Sequence, residues 1–352
     1  MTTANPTNPI LWTDHASTSK RRNWLARSAA AIAVTFILVA LLAPLLAWHQ
    51  PIVCKYQGQF YFPAISDTAS RLPLVGSWFQ KAKPFRFPSF DARTALEPDA
   101  FALWPPVPYG PMEMVADANR PASRRHWLGT DDRGRDVLAR LIHGTCVSVR
   151  VGVYSMLLAG IVGIIIGGAA GFYGGAIDWM CSRLIEIMMC FPAFFLILVV
   201  MVWIGNGVTG IILVIGLTQW TSIARLVRAE FLSGRELDFV DAARSYGASG
   251  WYIALRHLLP AALAPTLVAL TFGVADAILL EAGLSWLGLG VGADVATWGG
   301  MLRDAYDQIR THPGLMTAPC TAIFVSVLCC HILGEQLRRS LDPRIGFGES
   351  RS

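Results

Sequence analysis

Residues Ile187–Ala224 read IMMCFPAFFLILVVMVWIGNGVTGIILVIGLTQWTSIA and contain no charged side chain. A membrane-spanning helix needs about 20 apolar residues. The 38 residues of this stretch are therefore too many for one helix and enough for two. Gly205-Asn206-Gly207 divides the stretch near its middle, and these residue types favour tight turns. The stretch predicts two antiparallel spanning helices of about 18 residues each, which a short turn connects.

Apolar stretches on both sides of this pair predict four further spanning helices. The chain of 352 residues is 54% hydrophobic and 15% charged, whereas soluble domains are about 25% charged. This composition excludes intrinsic disorder and disfavours a soluble enzyme, because too little polar surface remains to cover one core. In one stretch glycines recur every four residues, which allows a neighbouring backbone to approach closely, although glycine is also common in membrane helices generally. The stretches are residues 28–48, 151–177, 258–289 and 313–334, and the glycines are Gly163, Gly167 and Gly171.

The distribution of arginine and lysine predicts how the six helices are oriented. Basic residues precede the first apolar stretch, which we interpret as an uncleaved anchor helix with a cytoplasmic N-terminus. Six crossings then place residues 225–257 and 335–352 in the cytoplasm, and these segments contain five and four arginines. Residues 49–126 fall outside and contain 11 of the 20 prolines, which predicts a small external subdomain with short strands. Whether this subdomain touches substrate or only caps the outer face stays open.

The predicted cytoplasmic loop between the fourth and fifth spans carries the strongest functional pattern. The charged residues from Glu236 to Arg244 predict a short helix, and Gly247 predicts its end. A second short helix follows and is expected to end at Pro260. The small side chains of Ala242 and Ala243 offer a face against which another protein can pack closely. The loop is therefore predicted to be a docking surface.

The spacing of the residues in this loop resembles the EAA loop of ABC-type importer permeases. Asp241 stands where the family has glutamate, and His257 stands at an isoleucine position where histidine is common in the peptide-importing branch. The resemblance implies that the loop is a coupling helix seated in a groove of an ATPase subunit. The residues that carry the resemblance, and the role, are Asp241, Ala242, Ala243, Gly247, His257, Leu259 and Pro260.

Three further segments resemble the C-type subunits of dipeptide, oligopeptide and nickel permeases. Residues 126–140 are similar to the family's HxLGTDxxGRDxxxR signature, residues 277–290 to its EAxLSFLGLG stretch, and residues 334–344 to its GDxLRDxLDPR tail. The long external segment is similar to that of Yej-type oligopeptide permeases. Departures from the family pattern are Trp286 for phenylalanine, Glu335 for aspartate, Arg339 for an acidic residue and Cys146 at a position that is often arginine.

The resemblance implies an all-α membrane protein with six transmembrane helices, the ABC importer type I permease fold and a Pro-rich external insertion. Its implied partners are a second, B-type permease, two ABC ATPases, an extracytoplasmic solute-binding protein and the lipid bilayer, with no nucleic acid. The chain is expected to be a non-catalytic subunit that transports peptides or peptide-like solutes across the bacterial inner membrane, with both termini in the cytoplasm. It is expected to need no cofactor of its own, because ATP and Mg²⁺ bind to the ATPases.

The expected division of the chain follows from these spans and from the loop. It comprises a cytoplasmic segment 1–27, a first transmembrane helix 28–48, an external segment with an interfacial helix 49–146, a five-helix core 147–338 with the coupling loop 236–257, and a cytoplasmic tail 339–352.

The energy source is predicted from a missing motif. The chain has no GxxxxGK[ST] phosphate loop, so uphill transport would need a partner that binds ATP. The alternative is a proton-coupled secondary peptide transporter, which needs a relay of intramembrane acids or histidines and usually an internal repeat. Asp276, Glu281 and His331 are the candidates for such a relay, and we find no repeat. A membrane-anchored assembly factor is a third class, and it would not need the docking loop.

Glu281 is the main charged residue within a predicted span. An ionisable group at that depth costs about 3 kcal/mol or more, so it should face water or a partner. Together with Ser285 and Trp286 it is predicted to line the translocation path or the subunit interface. The alternative is a packing residue that is hydrogen-bonded to a neighbouring helix.

The acidic residues before the second span allow two interpretations. Thr130 and Asp131 are predicted to cap an amphipathic interfacial helix over residues 135–142. The alternative is a cation site formed by Asp131, Asp132 and Asp136. We favour the structural interpretation and predict no metal site.

Overall fold

The computed structural model describes residues 9–56, 59–64, 101–115 and 118–341, with the backbone alone for residues 9–23, 56, 59 and 101. The described part is mainly helical, as the sequence predicts, and contains ten α-helices. It also contains a π-helical turn (Ala254–Leu258) and a 3₁₀ turn (Pro313–Met316). In chain order the helices are α1 (Pro9–Leu46), α2 (Val137–Tyr173), α3 (Gly175–Met189), α4 (Ala193–Ile204), α5 (Val208–Gly234), α6 (Asp238–Ser245), α7 (Gly250–Ile253), α8 (Leu259–Trp286), α9 (Trp298–Asp307) and α10 (Thr317–Leu341).

Five helical stretches are long and apolar enough to cross a membrane, and α3 with α4 brings the number to six as a bent pair. The axes of α3 and α4 differ by 86° at a break over residues 190–192. The prediction of one uninterrupted helix from Ile187 is therefore wrong. Pro192 has no N–H and disfavours a helical conformation at the residue before it, so the helix breaks there. The predicted turn at Gly205–Gly207 is confirmed, because it separates α4 from α5. The five unbroken stretches are residues 24–46, 137–173, 208–234, 250–286 and 313–341.

α2 and α5 pack backbone to backbone along the predicted glycine stripe. A Cβ atom on Gly167 would lie 2.3 Å from the carbonyl oxygen of Ala224. A Cβ atom on Gly163 would lie 2.7 Å from the nearest side-chain atom of α5, and one on Gly171 would lie 2.5 Å from Cβ of Phe231. All three distances are too short for real contacts, so the close approach predicted from the glycine spacing is confirmed.

A small antiparallel sheet follows α1 and marks what we call the sheet end of the molecule. Cys54 of the central strand pairs with Tyr61 on one side and with Ala102 on the other. The amide of Val107 donates a hydrogen bond to the carbonyl of Leu46 at 3.0 Å, which ties this segment to α1. The predicted short strands are thus confirmed where the structure describes the segment, and residues 65–100 lie outside the described residues. The strands are β1 (Val53–Tyr56), β2 (Gln59–Tyr61) and β3 (Phe101–Leu103), in the order β2-β1-β3.

α2 is one continuous helix of 37 residues that starts at the sheet end. Its N-cap is Asp136, whose carboxylate accepts a hydrogen bond from the amide of Ala139 at 2.8 Å. The predictions that Thr130 and Asp131 cap a helix, and that residues 135–142 form a separate interfacial helix, are therefore wrong. Asp131 is not free to cap α2, because its carboxylate accepts hydrogen bonds from two backbone amides of the preceding turn.

Candidate functional site

The predicted docking loop folds into a helical elbow, residues 238–260, at the end of the molecule opposite the sheet. Asp238 and Asp241 lie in the first turn of α6 and Arg244 in its last, so these charges complement the helix dipole. Val240 is the buried residue of α6, and it joins Ile253 in an apolar cluster with side chains of α5 and α8. This cluster fixes the elbow to two spanning helices.

α6 ends in a Schellman motif around Gly247. The amide of Ala248 donates a hydrogen bond to the carbonyl of Ala243 at 3.0 Å, and the amide of Gly247 donates one to the carbonyl of Arg244 at 2.9 Å. The φ angle of Gly247 is +80°, a conformation that costs other residues about 1–2 kcal/mol. No atom lies within 4 Å of a Cβ placed there, so glycine is required for its backbone angle and not for space. The predicted end of α6 at this glycine is confirmed.

The second half of the elbow continues past Pro260, which corrects the prediction that a short helix ends there. Helical structure runs without interruption from Gly250 to Trp286. The π-helical turn ends two residues before Pro260, and at its end the amide of Leu259 donates a hydrogen bond to the carbonyl of Ala254. A proline ring crowds the carbonyl four residues earlier and supplies no N–H. The extra residue in the π turn gives the ring room, so the helix continues.

One face of the elbow exposes large apolar side chains. Tyr246 is 92% exposed and Trp251 is 65% exposed. His257 lies between the rings of Phe239 and Tyr252, at centroid distances of 5.8 and 5.7 Å. Exposed apolar patches of this kind mark contact sites for other proteins.

The structure brings all seven predicted coupling residues together on the elbow. The exposed ones are available to a partner, whereas the half-buried ones pack on the elbow itself. The salt bridge between Asp241 and Arg244, at 3.2 Å, is on the surface and adds little stability. Asp241, Ala242, Gly247 and Pro260 are exposed, and Ala243, His257 and Leu259 are half-buried.

Glu281 is buried in α8 near the sheet end. Its carboxylate accepts hydrogen bonds from the hydroxyls of Ser285, at 2.7 Å, and of Ser148 in α2, at 3.2 Å. The Glu281 side chain is 0% exposed, so it lines no surface of this chain. The alternative prediction, a packing residue that is hydrogen-bonded to a neighbouring helix, describes its position. Trp286 is exposed, and its role at the path or the interface stays a prediction.

A charged cluster at the sheet end is the feature that the sequence analysis missed. Arg135 and Arg140 are almost fully buried and share two carboxylates, those of Asp131 and Asp304. Arg135 donates to Asp131 through Nε at 2.7 Å and to Asp304 through Nη2 at 2.8 Å. Arg140 donates to the same two carboxylates through its terminal nitrogens. Asp304 lies 164 positions from Arg140 along the chain, so no local pattern reveals the cluster.

The sequence left open a cation site at Asp131, Asp132 and Asp136, and in the structure the acid grouped with Asp131 and Asp132 is Asp304. Asp131, Asp132 and Asp304 bring one carboxylate oxygen each within 4.8 Å of one another. Two guanidinium groups already neutralise Asp131 and Asp304, so the arrangement is a structural ion network. Asp132 is the least compensated member. Burial, and then the charges of Asp131 and Asp304, raise the pKa of Asp132 above its usual value.

Asp132→Asn is expected to raise the melting temperature of the protein at neutral pH. The raised pKa means that folding favours the protonated form of Asp132. Its favourable contribution is complete below the unfolded pKa, about pH 4, and is lost as the pH rises through the folded value. The melting temperatures of the wild type and of Asp132→Asn, measured in detergent, should therefore be equal below about pH 4 and differ above it. Asp294→Asn, at an exposed aspartate, is the control. A lower melting temperature for Asp132→Asn than for the wild type at pH 7 would contradict the prediction.

Comparisons with known proteins give a consistent set of relatives. Residues 163–347 match the model of the family described as binding-protein-dependent transport system inner membrane component. The chain is 34% identical over 227 residues to the glutathione transport system permease protein GsiD of Pectobacterium atrosepticum, covering 64% of this chain and 75% of that protein. It is 39% identical over 221 residues to the nickel transport system permease protein NikC of Escherichia coli K12, covering 63% and 80%. It is 34% identical over 231 residues to the oligopeptide transport system permease protein OppC of Bacillus subtilis, covering 66% and 76%.

Proposed function

Because the chain belongs to the family of binding-protein-dependent transport system inner membrane components, we propose that it forms half of the path by which an ABC importer carries peptides. The chain is a permease subunit of the peptide and nickel importer family. Two of the similar permeases are named for glutathione and for oligopeptides, which supports peptide cargo here. A C-type subunit of this kind would pair with a B-type permease, and the path would lie between the two.

In this proposal the elbow docks on one of the two ATPase subunits, and the second permease docks on the other. Its exposed apolar face would seat in a groove of an ATPase, while Val240 and Ile253 hold it against the spanning helices. A displacement of the elbow then moves α5 and α8 together, because one apolar cluster joins them. ATP and Mg²⁺ bind to the partners, so this chain contributes no catalytic residue. The elbow end and both termini would face the cytoplasm, and the sheet end would face an external binding protein.

The path-lining role that was predicted for Glu281 passes to Asp276 in this proposal. Asp276 is exposed on α8 within a spanning stretch. An ionisable side chain at that depth needs water or a partner. The face of α8 that carries Asp276 would therefore line the path or contact the second permease.

The alternative, a proton-coupled secondary transporter, gains no support from the geometry. Glu281 is enclosed by two serines, and His331 packs against the ring of Phe272 at 5.4 Å. Among the described residues, no hydrogen bond connects Asp276, Glu281 and His331. A proton relay would require such connections.

The exposed elbow is the observation that carries the proposal, and Ala242→Trp tests it. Ala242 is exposed and belongs to no buried cluster, so tryptophan should block docking without unfolding the chain. We expect ATPase subunits that co-purify with the wild-type permease to be reduced at least tenfold with the variant. Ala122→Trp, at an exposed alanine of the sheet end, should retain them. Full retention by Ala242→Trp would refute docking at the elbow. Nucleotide-free accumulation of peptide by vesicles that contain this chain alone would favour the symporter instead.

A further inference from the structure

A cavity of about 340 Å³ opens at the sheet end and has no role in the coupling just described. Its walls come from three separate parts of the chain: the loop between α8 and α9, the turn between α4 and α5, and the segment before α2. α9 closes the fourth side. A volume of this size suits a small organic ligand. Among its lining residues are Arg133, Asn206, Gly290, Gly292, Arg303 and Asp307.

The loop between α8 and α9, which lines this cavity, contains unpaired backbone donors. Within the described residues, none of the backbone amides from Gly290 to Asp294 donates a hydrogen bond to another group of the protein. Gly290 leaves no room for a side chain, because a Cβ there would lie 2.1 Å from Oγ of Ser285. Gly292 has a φ of +113°, which also favours glycine. The loop therefore has no side chain over its backbone at Gly290 and Gly292, although the carboxylate of Asp294 lies beside Gly292. Consecutive free N–H groups are suited to binding an anion.

The arginines that line the cavity differ in whether a nearby carboxylate compensates their charge. Arg135 and Arg140 reach the wall, but Asp131 and Asp304 already compensate them. Arg303 makes no salt bridge with any residue that the structure describes, and its guanidinium lies over Gly288, where a Cβ would be 2.1 Å from Nη1. Arg133 pairs with Asp132 at 3.8 Å, so the exposed Arg303 is the lining cation without an acidic partner among the described residues.

A free negative charge lies on the same helix. Asp307 is exposed, lines the cavity and has no salt bridge among the described residues, although it follows Arg303 by four positions. A polyanion such as phosphate would be repelled by this carboxylate. A ligand with one carboxylate and one ammonium group would satisfy both free charges. The charge pattern thus favours a zwitterion over a simple anion.

We propose that this cavity is a binding site for short zwitterionic peptides. Arg303 and the amides of residues 290–293 hold the α-carboxylate, and Asp307 receives the α-ammonium group. The assignment rests on the proposed peptide import and adds a site for cargo on the permease itself, apart from the external binding protein. Arg303 acts as a specificity-determining residue in this site.

Calorimetric titration of the complete importer tests the site, with both permeases and both ATPases in lipid nanodiscs and without the binding protein. The probe is trialanine, compared with trialanine amide and N-acetyl-trialanine. We expect trialanine to bind at least tenfold more tightly than either blocked peptide. Arg303→Gln should weaken trialanine binding at least tenfold, whereas Arg310→Gln, at an exposed arginine outside the cavity wall, should leave it unchanged.

Three results would overturn the site. They are no binding of trialanine, equal binding of the blocked and free peptides, or wild-type affinity in Arg303→Gln. The peptide comparison uses the wild-type protein, so it decides the matter even if the arginine variant misfolds. Uptake of labelled trialanine by cells that express the whole importer is measured separately. Uptake without binding to the nanodisc complex would remove this site and leave peptide import standing, whereas absence of uptake for any peptide would remove the proposed function.

Discussion

Gly167→Ala is expected to lower the melting temperature of the detergent-solubilised protein strongly, although it adds only one methyl group. That methyl would lie 2.3 Å from the carbonyl oxygen of Ala224 and 2.9 Å from its Cα, so it meets backbone atoms that cannot rotate away. Relief requires α2 and α5 to separate. Overpacking of this kind costs about 1–3 kcal/mol where side chains can adjust, and we expect the upper end here.

The neighbouring glycine provides the matched control. A Cβ on Gly168 would lie 3.6 Å from the ring of Phe231, which is an ordinary van der Waals contact. Alanine is also the better helix former by about 1 kcal/mol. Gly168→Ala should therefore leave the melting temperature unchanged or raise it slightly. Equal melting temperatures for the two variants would show that the helices do not pack along the face that contains Gly167.

The glycine stripe and the elbow could be predicted from the sequence because their causes are local. Four-residue spacing places Gly163, Gly167 and Gly171 on one helix face wherever that helix packs. Likewise, a positive φ at Gly247 follows from the end of the charged helix before it. Both features depend on a few consecutive residues, so the sequence contains the information needed.

The bend between α3 and α4 and the cap of α2 could not be predicted in the same way. Proline is tolerated within membrane helices when neighbours satisfy the backbone, so Pro192 alone does not decide between a kink and a break. Several carboxylates precede α2, and any of them can act as a cap by type. Asp136 caps the helix, whereas the carboxylate of Asp131 is bound by Arg135 and Arg140. Such choices depend on tertiary partners.

Long-range pairing also explains why the sequence left the environment of Glu281 open between the path or interface and a packing position. The sequence shows a charge in an apolar helix but does not show Ser148, 133 positions away, which donates to it. Conversely, Asp276 has no such donor among the described residues and is exposed on the same helix. Asp276 and Glu281 are five positions apart, and the fold buries Glu281 and leaves Asp276 exposed to a partner or to water.

The second large effect is expected for Asp304→Ala, in the ion network that connects α2 to α9. Arg135 and Arg140 carry two positive charges, and Asp131 and Asp304 compensate them. Removal of Asp304 takes a carboxylate from both guanidinium groups, whose side chains are only 2% and 5% exposed, and leaves them with Asp131 and with Asp132, which lies 3.6 Å from Arg135. Breaking a buried ion pair in this way costs about 3–5 kcal/mol. Thermal unfolding in detergent should show a large drop, whereas exposed Asp307→Ala, one helical turn away, should show almost none.

A double variant separates charge imbalance from loss of packing. Arg140→Met combined with Asp304→Leu removes one charge of each sign and leaves Arg135 with Asp131, whose Nε–Oδ2 distance is 2.7 Å. Apolar replacement of a whole buried pair is often neutral, because two desolvation penalties disappear together. The double variant should therefore recover most of the stability that Asp304→Ala loses. If it melts as low as the single variant, the network stabilises the protein by holding α9 in place geometrically, and its charge balance is not the cause.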